Sequence, residues 1–119
     1  MPWQNYKQLK IWQDSIDLVE DVYKLIGLLP DEEKYALASQ MRRAVVSVPS
    51  NIAEGNSRYS ERDFKRFLEI AKGSLYELNT QLIICERLNY LTSEQVKNVI
   101  NDSEKIIKMI SKLIITIDN

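Results

Sequence analysis

The chain has 119 residues, a formal net charge of −1, and a composition that is 45% hydrophobic and 28% charged. That length fits a single domain over residues 1–119 with one sizeable core, and leaves no room for separate catalytic and regulatory units. Three glycines and three prolines are too few for a turn-rich β-sandwich, and the lack of histidine removes most metal sites, most general bases and every Ser–His or Cys–His dyad.

Four helices follow from the hydrophobic period. Over residues 6–28, Leu9, Trp12, Ile16, Val19, Tyr23 and Ile26 recur at alternating spacings of three and four, which is one stripe of an α-helix. A second stripe, Ile11, Leu18, Val22 and Leu25, lies beside it, and Lys10, Asp14, Asp17, Asp21 and Lys24 fill the remaining arc. The apolar surface is wider than the roughly three positions in seven that one core face needs. Either the helix touches two neighbours in its own bundle, or the second stripe meets another copy of the chain. Ile11, Leu18, Val22 and Leu25 are therefore candidate interface residues.

Gly27 suits a helix C-terminus and Pro30 a first turn, and Asp31, Glu32 and Glu33 favour the positive end of a helix dipole. The second helix is predicted over residues 31–56, with Leu37, Met41, Ala44, Val45, Val48 and Ile52 facing the core. Pro49 removes a backbone donor inside it, so a kink is expected there while the period carries on to Ile52. Gly55 to Tyr59 breaks the pattern. Ser60 with Asp63 then reads as an N-cap for a third helix over residues 61–88, with Phe64, Phe67, Leu68, Ala71, Leu75, Leu78, Leu82 and Cys85 on its core stripe. Gly73 sits mid-helix on a second face with Ile70, Ile84 and Leu88, at a propensity cost of about 1 kcal/mol relative to alanine. Ile70, Gly73 and Ile84 are thus candidates for close approach by another helix. Thr92 and Gln95 form a capping box for the last helix, over residues 93–117, whose stripe runs from Val96 to Ile117. Short connections make consecutive helices antiparallel, giving an all-α, up-down-up-down four-helix bundle.

Candidate chemistry is sparse. At about 100° per residue, Gln40, Arg43, Ser47, Asn51 and Glu54 project from the second helix as a polar stripe beside its apolar face. Their partners are predicted to be Glu77, Gln81 and Ser74 of the third helix, or a second subunit, with a ligand or nucleic acid as the alternative. Carboxylate-bridged di-iron bundles need a Glu-x-x-His pair on two helices, which this chain cannot supply. Glu54 and Glu77 are no better an acid–base pair than any other two carboxylates here. No phosphate-cradling glycine loop is present either, since Gly27, Gly55 and Gly73 stand apart. No catalytic residue, metal site or cofactor is therefore expected.

Cys85 is the only cysteine, so there is no disulfide framework, and its place on the core stripe marks it as a small buried hydrophobe. No apolar run approaches the roughly 20 residues that cross a bilayer, and the polar first residues lack a signal-peptide stretch, so a soluble cytoplasmic protein without membrane association is expected. The balanced charge argues against a general nucleic-acid binder. Locally, however, residues 42–66 hold Arg42, Arg43, Arg58, Arg62, Lys65 and Arg66 against Glu54, Glu61 and Asp63, and Tyr59 is available to stack on a base. Solvated helix ends are the simpler reading of the same residues.

The run Leu29-Pro30-x-x-Glu33-x-Tyr35-x-Leu37-x-x-Gln40-x-Arg42-Arg43-Ala44-x-x-Ser47-x-Pro49-x-Asn51-Ile52-Ala53-Glu54-Gly55 resembles the four-helix bundle protein family, also called 23S rRNA intervening-sequence or ribosomal-protein-like bundle proteins. Phe67-Leu68-x-Ile70-Ala71-x-Gly73-Ser74-x-x-Glu77-Leu78, the Leu88-x-Tyr90-Leu91 turn and Leu9-x-x-Trp12 fit the same family. The resemblance implies a bacterial, cytoplasmic antiparallel bundle that assembles as a homopentameric ring, without an established enzyme activity. Some relatives are encoded inside intervening sequences of ribosomal RNA genes. Others resemble the basic accessory variability determinants of retroelements, which bind a reverse transcriptase and nucleic acid. This chain departs from the latter in being slightly acidic. Two functions follow as expectations: an oligomeric scaffold for a protein partner, or an RNA-associated accessory protein using the local basic residues.

Overall fold

The computed structural model describes residues 5–118. Residues 1–4, part of the polar start read above as lacking a signal-peptide stretch, lie outside the described residues. Four helices, α1 (Lys10–Ile26), α2 (Leu37–Asn56), α3 (Glu61–Arg87) and α4 (Ser93–Asp118), carry the fold, and there is no strand among the described residues. Trp12 and Ile16 near the start of α1 share a groove with Pro49 and Ala53 near the end of α2. Met41, early in α2, lies 3.6 Å from Cys85, late in α3. Lys65, early in α3, reaches Asp118 at the end of α4. Consecutive helices therefore run antiparallel. Each helix backbone neighbours two others around a square, with α1 closing onto α4, and the molecule measures 46 × 23 × 20 Å.

The ends of the helices follow from local chemistry. Ser60 accepts a hydrogen bond from the Asp63 amide at 3.0 Å, which starts α3 at the expected residue. At α4 the capping box is complete: Thr92 accepts from the Gln95 amide at 3.1 Å, and the Gln95 side chain accepts from the Thr92 amide at 2.9 Å. Asn89 adopts φ 62°, and the amides of Asn89 and Tyr90 close back onto the carbonyls of Glu86 and Cys85. That pair of bonds is a Schellman ending, with asparagine filling the left-handed position that glycine more often takes.

The second helix begins later than the sequence predicts. Asp31–Glu33 forms an isolated 3₁₀ turn, Ala36 takes a non-helical φ of −118° and ψ of −103°, and α2 starts at Leu37. The acidic run that resembles a first helical turn does different work. Glu33 accepts the Leu37 amide at 3.4 Å and the Tyr90 hydroxyl at 2.8 Å, tying the α1–α2 connection to the α3–α4 turn. The helix then continues through Pro49, whose ring is buried.

The core holds Leu18, Val22, Met41, Val45, Val48, Ile52, Phe64, Leu68, Leu75, Leu78, Leu82, Ile106 and Ile110, all sealed from solvent. Gly55 is a buried part of α2 and not a break after it. A Cβ there would stand 2.7 Å from Cβ of Phe67 and 3.0 Å from the Phe64 ring, so only glycine lets the end of α2 lie this close to the start of α3.

On α1 the structure takes the first of the two alternatives: the helix touches two neighbours of its own bundle, α2 and α4. Ile11, Leu18, Val22 and Leu25 are buried in the chain's own core and cannot form an interface with another copy. Leu9, Trp12, Ile16 and Val19 are only partly buried, and Tyr23 is exposed. Both stripes have the same period, so spacing alone does not say which faces inward. The decision comes from α4. It packs beside the aspartate arc, against Leu18, and turns the adjoining stripe into the bundle.

Candidate functional site

The polar stripe of α2 lies along the α2–α3 seam, where the structure divides it into parts with different roles. Ser47 and Ser74 share a hydroxyl hydrogen bond of 2.8 Å across the seam. Asn51 donates to the Ser47 carbonyl at 2.8 Å and to its hydroxyl oxygen at 2.9 Å. These three side chains link the two helices at the edge of their seam. Glu54 is turned away to a 2.8 Å ion pair with Arg58. Gln40, Arg43 and Glu77 remain exposed, and with Ala44, Ser47 and Ser74 they line an open groove of about 280 Å³. Gln81 stands beside them on α3, 95% buried, its amide nitrogen 3.5 Å from the Glu77 carboxylate and its carbonyl oxygen without a partner. The expected partnership with Ser74 is thus formed by Ser47, while Glu77 and Gln81 pair with each other.

The basic residues do not form the single patch that their closeness in sequence suggests. Arg42 and Arg43 lie in the second turn of α2 and Arg58 just beyond its end, about 23 Å away at 1.5 Å per residue. Arg42 is half-buried beside Ile26, Leu29 and Ala38 at the α1–α2 turn, whereas Arg43 opens onto the α2–α3 groove. At the other end of the molecule, Arg58 and Arg66 both rest on the ring of Phe67, with guanidinium carbons 4.9 and 4.5 Å from its centroid. Stacking of this kind orders the long side chains, and Arg58 is further held by its ion pair with Glu54, while Arg66 forms no ion pair among the described residues. Lys65 is held by Asp118 at 2.9 Å, and that carboxylate raises its pKa through hydrogen bonding and charge. Arg62 borders the same small groove, and Tyr59 is 93% exposed beside the cluster. Four of the six basic residues therefore come together, around Phe67 and Asp118.

Ile70, Ile84 and Leu88 are 40–50% exposed on the α2 side of the outer surface of α3, with Gly73 among them and nothing within 4 Å of where its Cβ would stand. A second apolar surface lies between α1 and α2. Trp12, Ile16 and Val19 of α1 with Val46, Pro49 and Ala53 of α2 line a groove of about 330 Å³. Its signal was the first apolar stripe of α1, which includes Trp12, Ile16 and Val19. Between α1 and α4 a third groove, about 370 Å³, is lined by Asp14, Asp17, Asp21 and Asp102 with Lys10 and Lys105. Among the described residues no group of three or more cysteine or acidic side chains is placed to hold a metal ion. Burial pushes the Cys85 thiol up to about 11, helped by the charge of Glu33, which keeps it protonated and unreactive at neutral pH. No helix among the described residues is long and apolar enough to cross a membrane.

Comparison with known proteins adds a family. The model of the 23S rRNA-intervening sequence protein family matches residues 7–112. The fold is similar to the crystal structure of a protein with unknown function from the S23 ribosomal protein family of Bacteroides thetaiotaomicron VPI-5482. The two share 28% identity at a TM-score of 0.81 over 87% of this chain and 97% of that one. No curated protein matches the chain.

Proposed function

The chain belongs to the 23S rRNA-intervening sequence protein family, and from that premise we propose that it is a noncatalytic, cytoplasmic scaffold that works as a homo-oligomer, with the homopentamer as its assembled form. One observation carries this reading: two apolar surfaces, the α1–α2 groove and the outer face of α3, remain uncovered when the bundle's own core is complete. Apolar side chains left grouped on one face are where a second copy would gain most by burial. Light scattering coupled to size-exclusion chromatography tests it. A particle several times 13.9 kDa supports the scaffold, and a stable particle of 13.9 kDa at micromolar concentration refutes it.

A second reading, RNA association, is favoured by one specific feature, the stacking of Arg58 and Arg66 on Phe67 beside exposed Tyr59. Two ordered guanidinium groups, one of them shared with Glu54, next to an exposed aromatic ring suit phosphate contact and base stacking, and the intervening sequence of 23S rRNA in the family's name makes structured RNA the first probe. Gel-shift titration across salt decides it. RNA binding that weakens steeply with salt and is lost in Arg58→Ala/Arg66→Ala supports the reading; affinity indifferent to both rejects it.

A further inference from the structure

We infer that the α2–α3 groove is a binding site for a small zwitterion of the free α-amino acid class, with the ligand's carboxylate on Arg43 and its ammonium group on Glu77. The inference goes beyond the scaffold and RNA readings and depends on neither of them.

Unused charge is the first sign. Arg43 of α2 and Glu77 of α3 both line the groove, each about one turn from the Ser47–Ser74 hydrogen bond that ties its walls together. Both are exposed, and neither forms an ion pair among the described residues. Opposite charges on facing walls that do not reach each other leave a gap for a molecule carrying both signs. Arg43 offers a planar fork of donors, which fits a carboxylate in two-point contact. Glu77 offers acceptors to an ammonium group, and its own link within the chain is weak, the Gln81 amide nitrogen standing 3.5 Å away.

Gln81 is the second, independent sign. It is buried, and its carbonyl oxygen has no partner. A methionine at that place would avoid the cost of an orphaned carbonyl, so the core gains nothing from the amide. What the amide does is hold the Glu77 carboxylate from behind, which makes Gln81 a positioning residue for the ammonium site. Gln40 stands at the same level on the other wall, because both glutamines lie about two turns from the serine pair on antiparallel helices. Its side chain lines the groove and is available to the ligand's carboxylate beside Arg43.

Size and lining narrow the ligand. A groove of about 280 Å³ holds about nine waters at about 30 Å³ each, which suits an amino acid and is less than a nucleotide needs. None of the residues that line it is aromatic, so a base would find nothing to stack on, and Glu77 would repel a phosphate. Ala44 is the apolar member of the lining, so an apolar side chain from a second copy would gain little there.

Nuclear magnetic resonance titration of the full chain tests this, with the side-chain signals of Gln40, Arg43 and Gln81 as reporters. The probes are the common L-amino acids at millimolar concentration, each beside its N-acetyl and its carboxamide derivative. At least one amino acid should shift these signals saturably, with a Kd of about 0.1–1 mM, and both of its derivatives, each lacking one charge, should fail. Arg43→Gln and Glu77→Gln, at exposed positions, should keep the helical circular dichroism and weaken binding about 10–100-fold. Gln81→Met should bind more weakly yet raise the urea midpoint, a pairing that a purely structural glutamine would not give; unchanged affinity would remove its positioning role. The site is overturned if no amino acid binds, if a derivative binds as well as its parent, or if Arg43→Gln and Glu77→Gln keep full affinity. A smaller particle in Arg43→Gln, with no amino acid bound by the wild type, would give the groove to a second copy instead.

Discussion

Where α2 meets α3, Gly55 brings the backbones so close that a Cβ would stand 2.7 Å from that of Phe67, and the Ser47 and Ser74 hydroxyls bond across the seam at 2.8 Å. Where α1 meets α4, on the opposite side of the same core, the helices part into a groove of about 370 Å³ lined by four aspartates and two lysines. The first seam gains from small side chains and short hydrogen bonds, both of which demand one register. The second keeps its ionised groups hydrated, and of its six charged residues only Lys10 and Asp14 form an ion pair among the described residues, at 3.2 Å. The lesson is that this bundle sets its geometry along one seam and tolerates variation along the other.

Breaking the tight seam should have the largest effect. Gly55→Leu forces its side chain against Phe64 and Phe67, and is expected to cost about 3 kcal/mol in urea denaturation at fixed protein concentration. Ser47→Ala removes the partner of Ser74 and one of the two acceptors of Asn51, whose bond to the residue 47 carbonyl remains, and should cost about 1 kcal/mol by the same measurement; a change below a few tenths would show that the hydroxyl pair contributes nothing. Gly73→Ala reverses the sign. With nothing within 4 Å of the new methyl, helix propensity alone should stabilise the bundle by about 1 kcal/mol, and a loss instead would place a second surface against that notch. The open seam should respond least. Asp21→Asn, which removes one carboxylate from a groove of four, is expected to raise stability by about 0.5 kcal/mol at low salt, with the gain vanishing in 0.5 M salt if simple repulsion is its cause.

Cys85 offers a probe of the tight side that needs no substitution. It is fully buried beside Met41, and its thiol is pushed up to about 11, first by burial. A thiol reagent at pH 8 should therefore label it only through opening of the bundle, at a rate that follows urea concentration. Because the folded state holds the thiol protonated while the unfolded chain ionises near 8.5–9, this residue's contribution to stability is complete below pH 8.5 and declines as pH rises towards 11. Rapid labelling of the native protein at pH 8 would contradict the buried placement.

The four helices and their order were readable because apolar period and capping are properties of neighbouring residues. Ser60 with Asp63 and Thr92 with Gln95 mark helix starts wherever they occur, and the structure places both as expected. The start of α2 was not readable in this way. Asp31, Glu32 and Glu33 satisfy the electrostatics of a helix N-terminus, yet Glu33 finds Tyr90, distant in sequence, and caps Leu37 from outside the helix. The candidate site shows the same limit. Arg42 and Arg58 look like members of one patch on paper, while the rigid length of α2 holds them at opposite ends of the bundle.

Sequence alone determined what kind of molecule this is: an all-helical bundle, with its polar stripe on α2 and without histidine, because composition and period are local quantities. Tertiary packing alone decided which of two equally spaced stripes on α1 entered the core, and therefore which surface was left uncovered. A helix can present either side of a wide apolar arc inward at equal propensity; the positions of α2 and α4 break that symmetry. For the same reason Gly55 and Gly73, identical as letters, became a forced close contact and an open notch.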